Sequence, residues 1–393
     1  MSLNVAAVQE ALRADGLDGW LLYDFQGSNP VSYRMAGMGG FGHLATRRWF
    51  YLIPATGEPR ALVHAIERYN LDHLPGDKTV YAGREQLHAG LGTLLKGMTR
   101  VAMEYSPNCA IPYVSRVDAG TIELVRGLGT EVLSSGDLIQ QFEAFWDEAA
   151  IATHCQASEA LYRIKDRAFE SVARRLRDEV PTTEFDIQQQ MVGWFADEGL
   201  LAESAPCVSA QENAGNPHYL ASAAEHRVIR RNELVLLDLW GKLATPAAVY
   251  ADITWIGFVG SSVPARMTRA FAAICDARDA AVSVVQGAAR AGREVRGFEA
   301  DRAARQVLQE AGFGDAIMHR TGHSLGENVH GNGAHLDDYE THDERRLLPG
   351  SGFTIEPGLY FHDFGVRTEI NVVWTGNGPE VTGPRQASIV TLV

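Results

Sequence analysis

Residues 232–260 read NELVLLDLWGKLATPAAVYADITWIGFVG, and residues 352–374 read GFTIEPGLYFHDFGVRTEINVVW. Each stretch holds two runs of apolar and β-branched residues joined by a turn-forming segment, which is the pattern of a strand pair. Each also carries two carboxylates where the interior of a sheet would hold none: Asp238 and Asp252 in the first, Glu356 and Glu369 in the second. The two acids are 14 residues apart in the first pair and 13 in the second, and the second pair follows the first at offsets of 118 and 117. Matching offsets of this kind are what two copies of one supersecondary unit produce.

The duplication extends outward. Residues 148–179 carry a long helical pattern, and Thr183 with Asp186 three positions on marks the start of a second helix. Ahead of the second strand pair the same order recurs, with helical patterns over 265–291 and 297–311. The first third is different. Strand runs at GWLLYD (19–24), RRWFYLIP (47–54), RALVHA (60–65) and RVAMEY (100–105) alternate with helical segments, which predicts an α/β domain. The expected organisation is an α/β domain over residues 1–134, a helical connector over 135–147, and an α+β domain with an internal pseudo-twofold duplication over 148–393.

The chain has 393 residues, 46% hydrophobic and 21% charged, enough for two ordinary cores. A formal charge of -14 argues against nucleic acid or an anionic membrane as a partner, because either polyanion would be repelled. Cys109, Cys155, Cys207 and Cys275 form no CxxC pair, so neither a disulfide framework nor a cysteine zinc site is expected, and a reducing cytoplasm fits. The opening MSLNVAAVQEALRADG has charges within a helical pattern, unlike an export signal, and no run approaches the about 20 apolar residues of a membrane span.

Asp238 closes the run LVLLD, where an ionised carboxylate is strongly penalised unless it is paired or bound to metal. If the two halves pack face to face, all four acids converge. Like charges at ~4 Å repel by several kcal/mol even at an effective dielectric constant near 20, so a shared dry site requires cations. Six of the thirteen histidines lie between His319 and His362, and they supply a nitrogen ligand and proton-transfer groups. Oxygen ligands with one imidazole suit Mn, Co or Zn, and two such ions can share a hydroxide as nucleophile. Any one of the acids alone would read as a turn or cap residue, and only their matched spacing says otherwise. His319 and His335 read as structural or loop residues, and His362, Asp337, Asp338 and Asp343 as solvated loop groups.

The motifs VLLDLWG (235–241), YADITW (250–255), HRTGHSLG (319–326), VHG (329–331), TIEPGLY (354–360) and VRTEINV (366–372), in that order, resemble those of the pita-bread metallopeptidases. That family includes Xaa-Pro aminopeptidases, prolidases, methionine aminopeptidases and creatinases. The resemblance covers residues 148–393, and the first third is similar to the creatinase/prolidase N-terminal domain. It implies that Asp238, Asp252, His323, Glu356 and Glu369 hold two divalent ions, with Asp252 and Glu369 bridging them. It implies that His218, in NAGNPHYLAS (213–222), and His330 face the substrate, and that Glu356 also acts as general base. Arg367 matches an arginine of the proline-specific branch, either touching substrate or balancing the carboxylates, and Tyr360 is a further substrate-side residue. The interval between Asp238 and Asp252 is a few residues longer than usual in the family, through KLATPAAVY (242–250), which reads as a longer hairpin.

The expected activity is therefore hydrolysis of the Xaa-Pro imide bond in dipeptides (prolidase) by a metal-bridged hydroxide, in a homodimer. Xaa-Pro aminopeptidase, acting on longer peptides, is the alternative within the family. Outside this activity stand two others. A serine hydrolase built on Gly322-His323-Ser324-Leu325-Gly326 fails on context, because GFGDAIMHRT (312–321) before it reads as no buried strand and too little chain follows Ser324 for the rest of that fold. A binding protein on a retired pita-bread scaffold would have lost a ligand, and all five are present.

Overall fold

Every residue of GWLLYD and WFYLIP is buried, and successive side chains feed opposite cores. Trp20, Leu22, Tyr51 and Ile53 enter one; Leu21, Tyr23, Phe50 and Leu52 enter the other. A sheet with two apolar faces needs helices on both. The computed structural model, which describes residues 3–38 and 45–393, has them. Met1 and Ser2 of the expected opening helix lie outside the described residues. The chain divides into two compact units, Met1–Phe142 and Glu143–Val393. Among the described residues no helix is long and apolar enough to cross a membrane.

The first unit runs α1 (Val5–Ala14), β1 (Gly19–Asp24), α2 (Pro30–Met35), β2 (Trp49–Pro54), β3 (Arg60–His64), β4 (Asp77–Tyr81), α3 (Arg84–Leu94), β5 (Arg100–Met103), α4 (Ala119–Gly127) and β6 (Glu131–Ser134), followed by α5 (Gly136–Glu143). Its sheet has the order β4-β3-β2-β1-β5-β6, with β2 antiparallel to both neighbours and the outer pairs parallel. Val8, Leu12, Val31 and Leu138 cover one face, and Leu87, Leu91, Ile122 and Val125 cover the other. The sequence pattern did not single out β4 or β6, which lie at the sheet edges with mostly exposed or half-buried residues. The connector expected over 135–147 is helical only as far as Glu143.

The second unit starts with α6 (Glu148–Arg177) and α7 (Glu184–Asp197), then β7 (Leu200–Leu201), β8 (Cys207–Ala210), β9 (Leu234–Leu243) and β10 (Ala251–Phe258). It continues with α8 (Ala265–Arg290), α9 (Gly297–Glu310), β11 (Ser324–Leu325), β12 (Gly352–Ile355), β13 (Gly358–Tyr360), β14 (Gly365–Arg367), β15 (Ile370–Thr375), β16 (Gly378–Thr382) and β17 (Val390–Thr391). The Thr183 hydroxyl accepts the N–H of Asp186 while the Asp186 carboxylate accepts that of Thr183, closing the expected capping box on α7.

Strand periodicity decides which way the acids point. Along β9, Val235, Leu237 and Leu239 pack with α6 and α7, whereas Leu234 and Leu236 join the core of α8 and α9. Asp238 continues the second series. On β10, Asp252 and Thr254 continue the series of Ile256 and Phe258, and Thr254 lies opposite Asp238. Both aspartates therefore face the second half of the duplication. The longer hairpin expected between them resolves differently at its tip. Pairing between β9 and β10 ends at Gly241 and Ala251, and the last residues of β9 pair with β7 instead.

The second strand pair departs from the two continuous strands that the sequence suggests. It is broken into β12 and β13 on one side, β14 and β15 on the other, with Glu356-Pro357 and Thr368-Glu369 at the breaks. Pro357 has no N–H to offer a ladder. The Glu356 N–H donates to the Thr321 carbonyl at 2.6 Å and the Glu369 N–H to the Thr254 carbonyl at 3.3 Å, away from each other's strands. The ladder is interrupted where the acids must turn inward.

His154 on α6 is fully buried, its Nδ1 2.9 Å from the Tyr250 carbonyl and its Nε2 2.8 Å from the Thr382 hydroxyl. Nδ1 donates to the carbonyl, which leaves Nε2 to accept, so the site holds a neutral ring. Burial pushes its pKa down to about 4. The unfolded chain protonates near 6.5 and the folded one near 4, so this contribution is complete above 6.5 and lost as pH falls through that window. Between pH 7.5 and 5, wild type is expected to lose about 2 kcal/mol more unfolding free energy than His154→Gln. Urea titrations at the two pH values measure it, and equal losses would refute it.

Candidate metal centre

β11 and the loop before it carry His323 into the region between the two hairpins. The His323 N–H donates to Thr354 Oγ1 at 3.0 Å, and the Thr354 N–H returns a bond to the His323 carbonyl at 2.8 Å. The imidazole Nδ1 is 3.1 Å from the Ser324 carbonyl, which makes Nδ1 the protonated nitrogen and leaves Nε2 with a free lone pair. Nε2 lies 3.6 Å from Asp252 Oδ2 and 3.5 Å from Glu356 Oε1.

Asp252, His323 and Glu369 are all buried and bring one ligand atom each within 4.8 Å of one another. Thr254 Oγ1 donates to Glu369 Oε2 at 2.8 Å. Asp252 Oδ1 and Glu369 Oε1 are buried and accept no hydrogen bond from any protein group. Orphaned anionic oxygens side by side are the arrangement a divalent cation satisfies. Burial, then the charges of Asp238 and Glu356, push the Asp252 carboxyl well above its usual range. Glu369 is raised in the same way, by burial and then by Asp252, Glu356 and Asp238. Glu356 is raised chiefly by burial, opposed by His323 and Arg367. Protons cannot stay on all these groups near neutrality without cost, and cations remove that cost. The donor set of carboxylates with one imidazole nitrogen fits Mn, Co or Zn.

Asp238 stands at the edge of this cluster, with Oδ2 accepting from Arg367 Nη2. The Arg367 guanidinium is buried and each of its nitrogens is bonded: Nη1 donates to the Tyr360 hydroxyl at 2.8 Å, and Nε to Thr254 Oγ1 at 3.1 Å. Tyr360 is also 2.7 Å from His319 Nε2, and burial pushes its phenol up to about 12. His330 packs edge-on against His323, with ring centroids 4.4 Å apart. Part of His330 is exposed, yet its charged form is disfavoured, first by burial and then by His323, Arg320 and His218, so it is neutral at pH 7. His218 is exposed on the segment between β8 and β9, close enough for its charge to act on His330.

The residues picked out from sequence thus come together, with Arg367 and Tyr360 tied to one another and to Asp238. Other polar partners were passed over. Thr254 lies two residues from Asp252 on the same face of β10, and Thr354 and Asn371 lie two residues from Glu356 and Glu369, in the strands beside the breaks. Asn371 Oδ1 accepts the Asp252 N–H at 3.0 Å and joins the hairpins. Period-two spacing would have found all three. His319, read as structural, reaches the Tyr360 hydroxyl.

Two readings need correction. Asp337 and Asp343, expected to be solvated, are fully buried. Asp337 accepts the N–H groups of Tyr339, Glu340 and Thr341, and Asp343 accepts that of His335 and a bidentate bond from Arg345. They build the loop after His330, as short acceptors in tight turns do. Asp338 is also bonded, to His342, Arg302 and Arg305, while His362 is exposed as expected. Ser324 sits in β11, 1% exposed, with its hydroxyl accepting the Gly333 N–H at 3.0 Å. No nucleophile elbow forms there.

The model of Metallopeptidase family M24 matches residues 157–376. A protein of Mycobacterium tuberculosis named Probable dipeptidase PepE is 26% identical over 260 residues, 65% of this chain and 63% of its own. The chain thus spans less than two thirds of that relative's length. An Xaa-Pro dipeptidase of Lactobacillus helveticus is 33% identical over 183 residues, 46% of this chain and 45% of that protein. Among solved structures, dipeptidase PepE from Mycobacterium ulcerans superposes with a TM-score of 0.67 at 23% identity, covering 99% of this chain and 96% of that one. A prolidase from Thermococcus sibiricus gives 0.60 at 20% identity, covering 98% of both. These structures share the pita-bread architecture.

Proposed function

The chain belongs to metallopeptidase family M24, and from that membership we propose that it hydrolyses the Xaa-Pro bond of dipeptides, using two divalent ions held by Asp238, Asp252, His323, Glu356 and Glu369. The observation that carries this reading is the buried set Asp252, His323 and Glu369, whose ligand atoms lie within 4.8 Å of one another, with Asp252 Oδ1 and Glu369 Oε1 left without a hydrogen-bond partner. The Xaa-Pro dipeptidase named above, similar over nearly half of this chain, supports the choice of substrate.

When bound, the ions would polarise the scissile carbonyl and lower the pKa of a water. Glu356, raised by burial, takes up a proton readily and suits the general-base role. Neutral His330 and the nearby His218 offer N–H donors to the oxyanion, and the proton taken up by Glu356 can go on to the departing imino nitrogen. Arg367, with one N–H from each nitrogen on Asp238, Tyr360 and Thr254, holds Asp238 in place and keeps further N–H groups on Nη1 and Nη2. We expect a cytoplasmic homodimer, checked by sedimentation.

His330→Ala is expected to lower kcat by about 100-fold while both ions stay bound. Metal analysis beside turnover tests this, and loss of an ion would show that the ring has another role. The decisive experiment compares an Xaa-Pro dipeptide with an Xaa-Pro tripeptide after metal stripping and after addition of Mn, Co or Zn. Metal-restored cleavage of the dipeptide alone is expected. Equal cleavage of the tripeptide would make the protein an aminopeptidase, and chelator-resistant activity would end the metal assignment.

A further inference from the structure

Glu184 is the first residue of α7 and is fully buried. Among the described residues no cationic side chain pairs with its carboxylate. Oε1 accepts the Ala210 N–H at 2.6 Å and Asn213 Nδ2 at 3.0 Å; Oε2 accepts Asn213 Nδ2 at 3.0 Å, the Tyr219 hydroxyl at 2.6 Å and the Arg227 N–H at 2.9 Å. The guanidinium of Arg227 is directed elsewhere, to Glu212 and Glu233. Neutral donors and the positive end of α7 are what keep this anion buried.

The donors are not scattered. Ala210 closes β8, Arg227 lies just before β9, and Asn213 and Tyr219 stand between them, so one side chain ties the start, middle and end of residues 210–227. His218 adjoins Tyr219. The Tyr219 carbonyl accepts from Cys207 Sγ at 2.9 Å, and Cys207 lies opposite Asp238 in the sheet, so the tyrosine is held from both ends. We propose that Glu184 is a positioning residue for His218, its carboxylate clamping residues 210–227 onto α7 and so setting where the imidazole stands beside the metal centre. The inference rests on the catalytic reading of His218 given above. The clamp requires an ionised carboxylate, because every bond comes from a donor and only a group with two acceptor oxygens and no N–H can take them all. A glutamine of the same shape would turn its NH2 against one of these donors.

The test uses full-length, metal-loaded protein. In Glu184→Gln, amide exchange over residues 210–227 is expected to speed up by about tenfold, with α8 and α9 unchanged. Metal content is expected to hold, and kcat/KM on an Xaa-Pro dipeptide to fall by about tenfold or more. In the His218→Ala background the same change is expected to matter by less than about twofold, because the group being positioned is gone. Tyr219→Phe removes one tie, is expected to move both readouts the same way by less, and stands in if Glu184→Gln does not fold. Unchanged exchange in both variants, or full multiplication of the Glu184→Gln and His218→Ala effects, would overturn the proposal. Wild-type turnover in His218→Ala would instead remove the catalytic role of His218. Exchange alone then decides for Glu184, faster exchange supporting the clamp and unchanged exchange overturning it.

Discussion

Glu369→Gln is expected to hold at most one divalent ion per subunit and to lose at least about 1,000-fold in kcat. The residue supplies one of the two orphaned oxygens, and its other oxygen is fixed by the Thr254 hydroxyl. The substitution keeps the shape and removes the charge, so the loss reports ligation rather than packing. A second readout moves in the opposite direction. Because the folded pKa of Glu369 is raised, the metal-free protein binds a proton there that the unfolded chain releases above about 4.3, and its stability falls as pH rises beyond that value. The neutral amide has no such penalty. At pH 8 and without metal, Glu369→Gln is therefore expected to melt at a higher temperature than wild type, and the order to reverse once ions are added. Calorimetry of stripped and reloaded protein measures both. Full activity, or two ions retained, would contradict the assignment.

Arg367→Met is expected to destabilise the metal-free protein by about 3 kcal/mol and to depress kcat/KM by about 100-fold. The guanidinium fork serves three acceptors at once: the Asp238 carboxylate, the Tyr360 hydroxyl and Thr254 Oγ1. Removing it leaves the half-buried Asp238 near Asp252, Glu356 and Glu369 without the cation that now contacts it. Bound ions would replace much of that charge, so the stability deficit should shrink on metal addition while the catalytic one persists. Arg367→Lys should restore little, since an ammonium cannot reach three acceptors in a fixed plane. Urea unfolding with and without metal separates the terms. A deficit unaffected by metal would mean that Arg367 acts through packing alone.

The mistakes of the sequence reading have a common origin. Burial of Asp337 and Asp343 depends on backbone N–H groups of a loop whose turns carry no apolar periodicity. The broken second strand pair was hidden because Pro357 alone cannot say where the neighbouring N–H groups turn. β4 and β6 are edge strands whose residues are mostly exposed or half-buried, so neither carries an apolar run that stands out from its surroundings.

What the chain determined by itself is local and periodic: the repeated order of helices and strands, the inward faces of β9 and β10, and the four acids at matching positions. Alternation along a strand fixes the side on which Asp238 and Asp252 lie, whatever they later meet. Which oxygens stay unpaired, which nitrogen of His323 is free, and that Arg367 bonds Asp238 were decided only by the packing of the two hairpins. Those contacts join residues 115 and 129 positions apart. Their geometry comes from side chains meeting across two sheets, and no local pattern encodes a hydrogen bond over that distance.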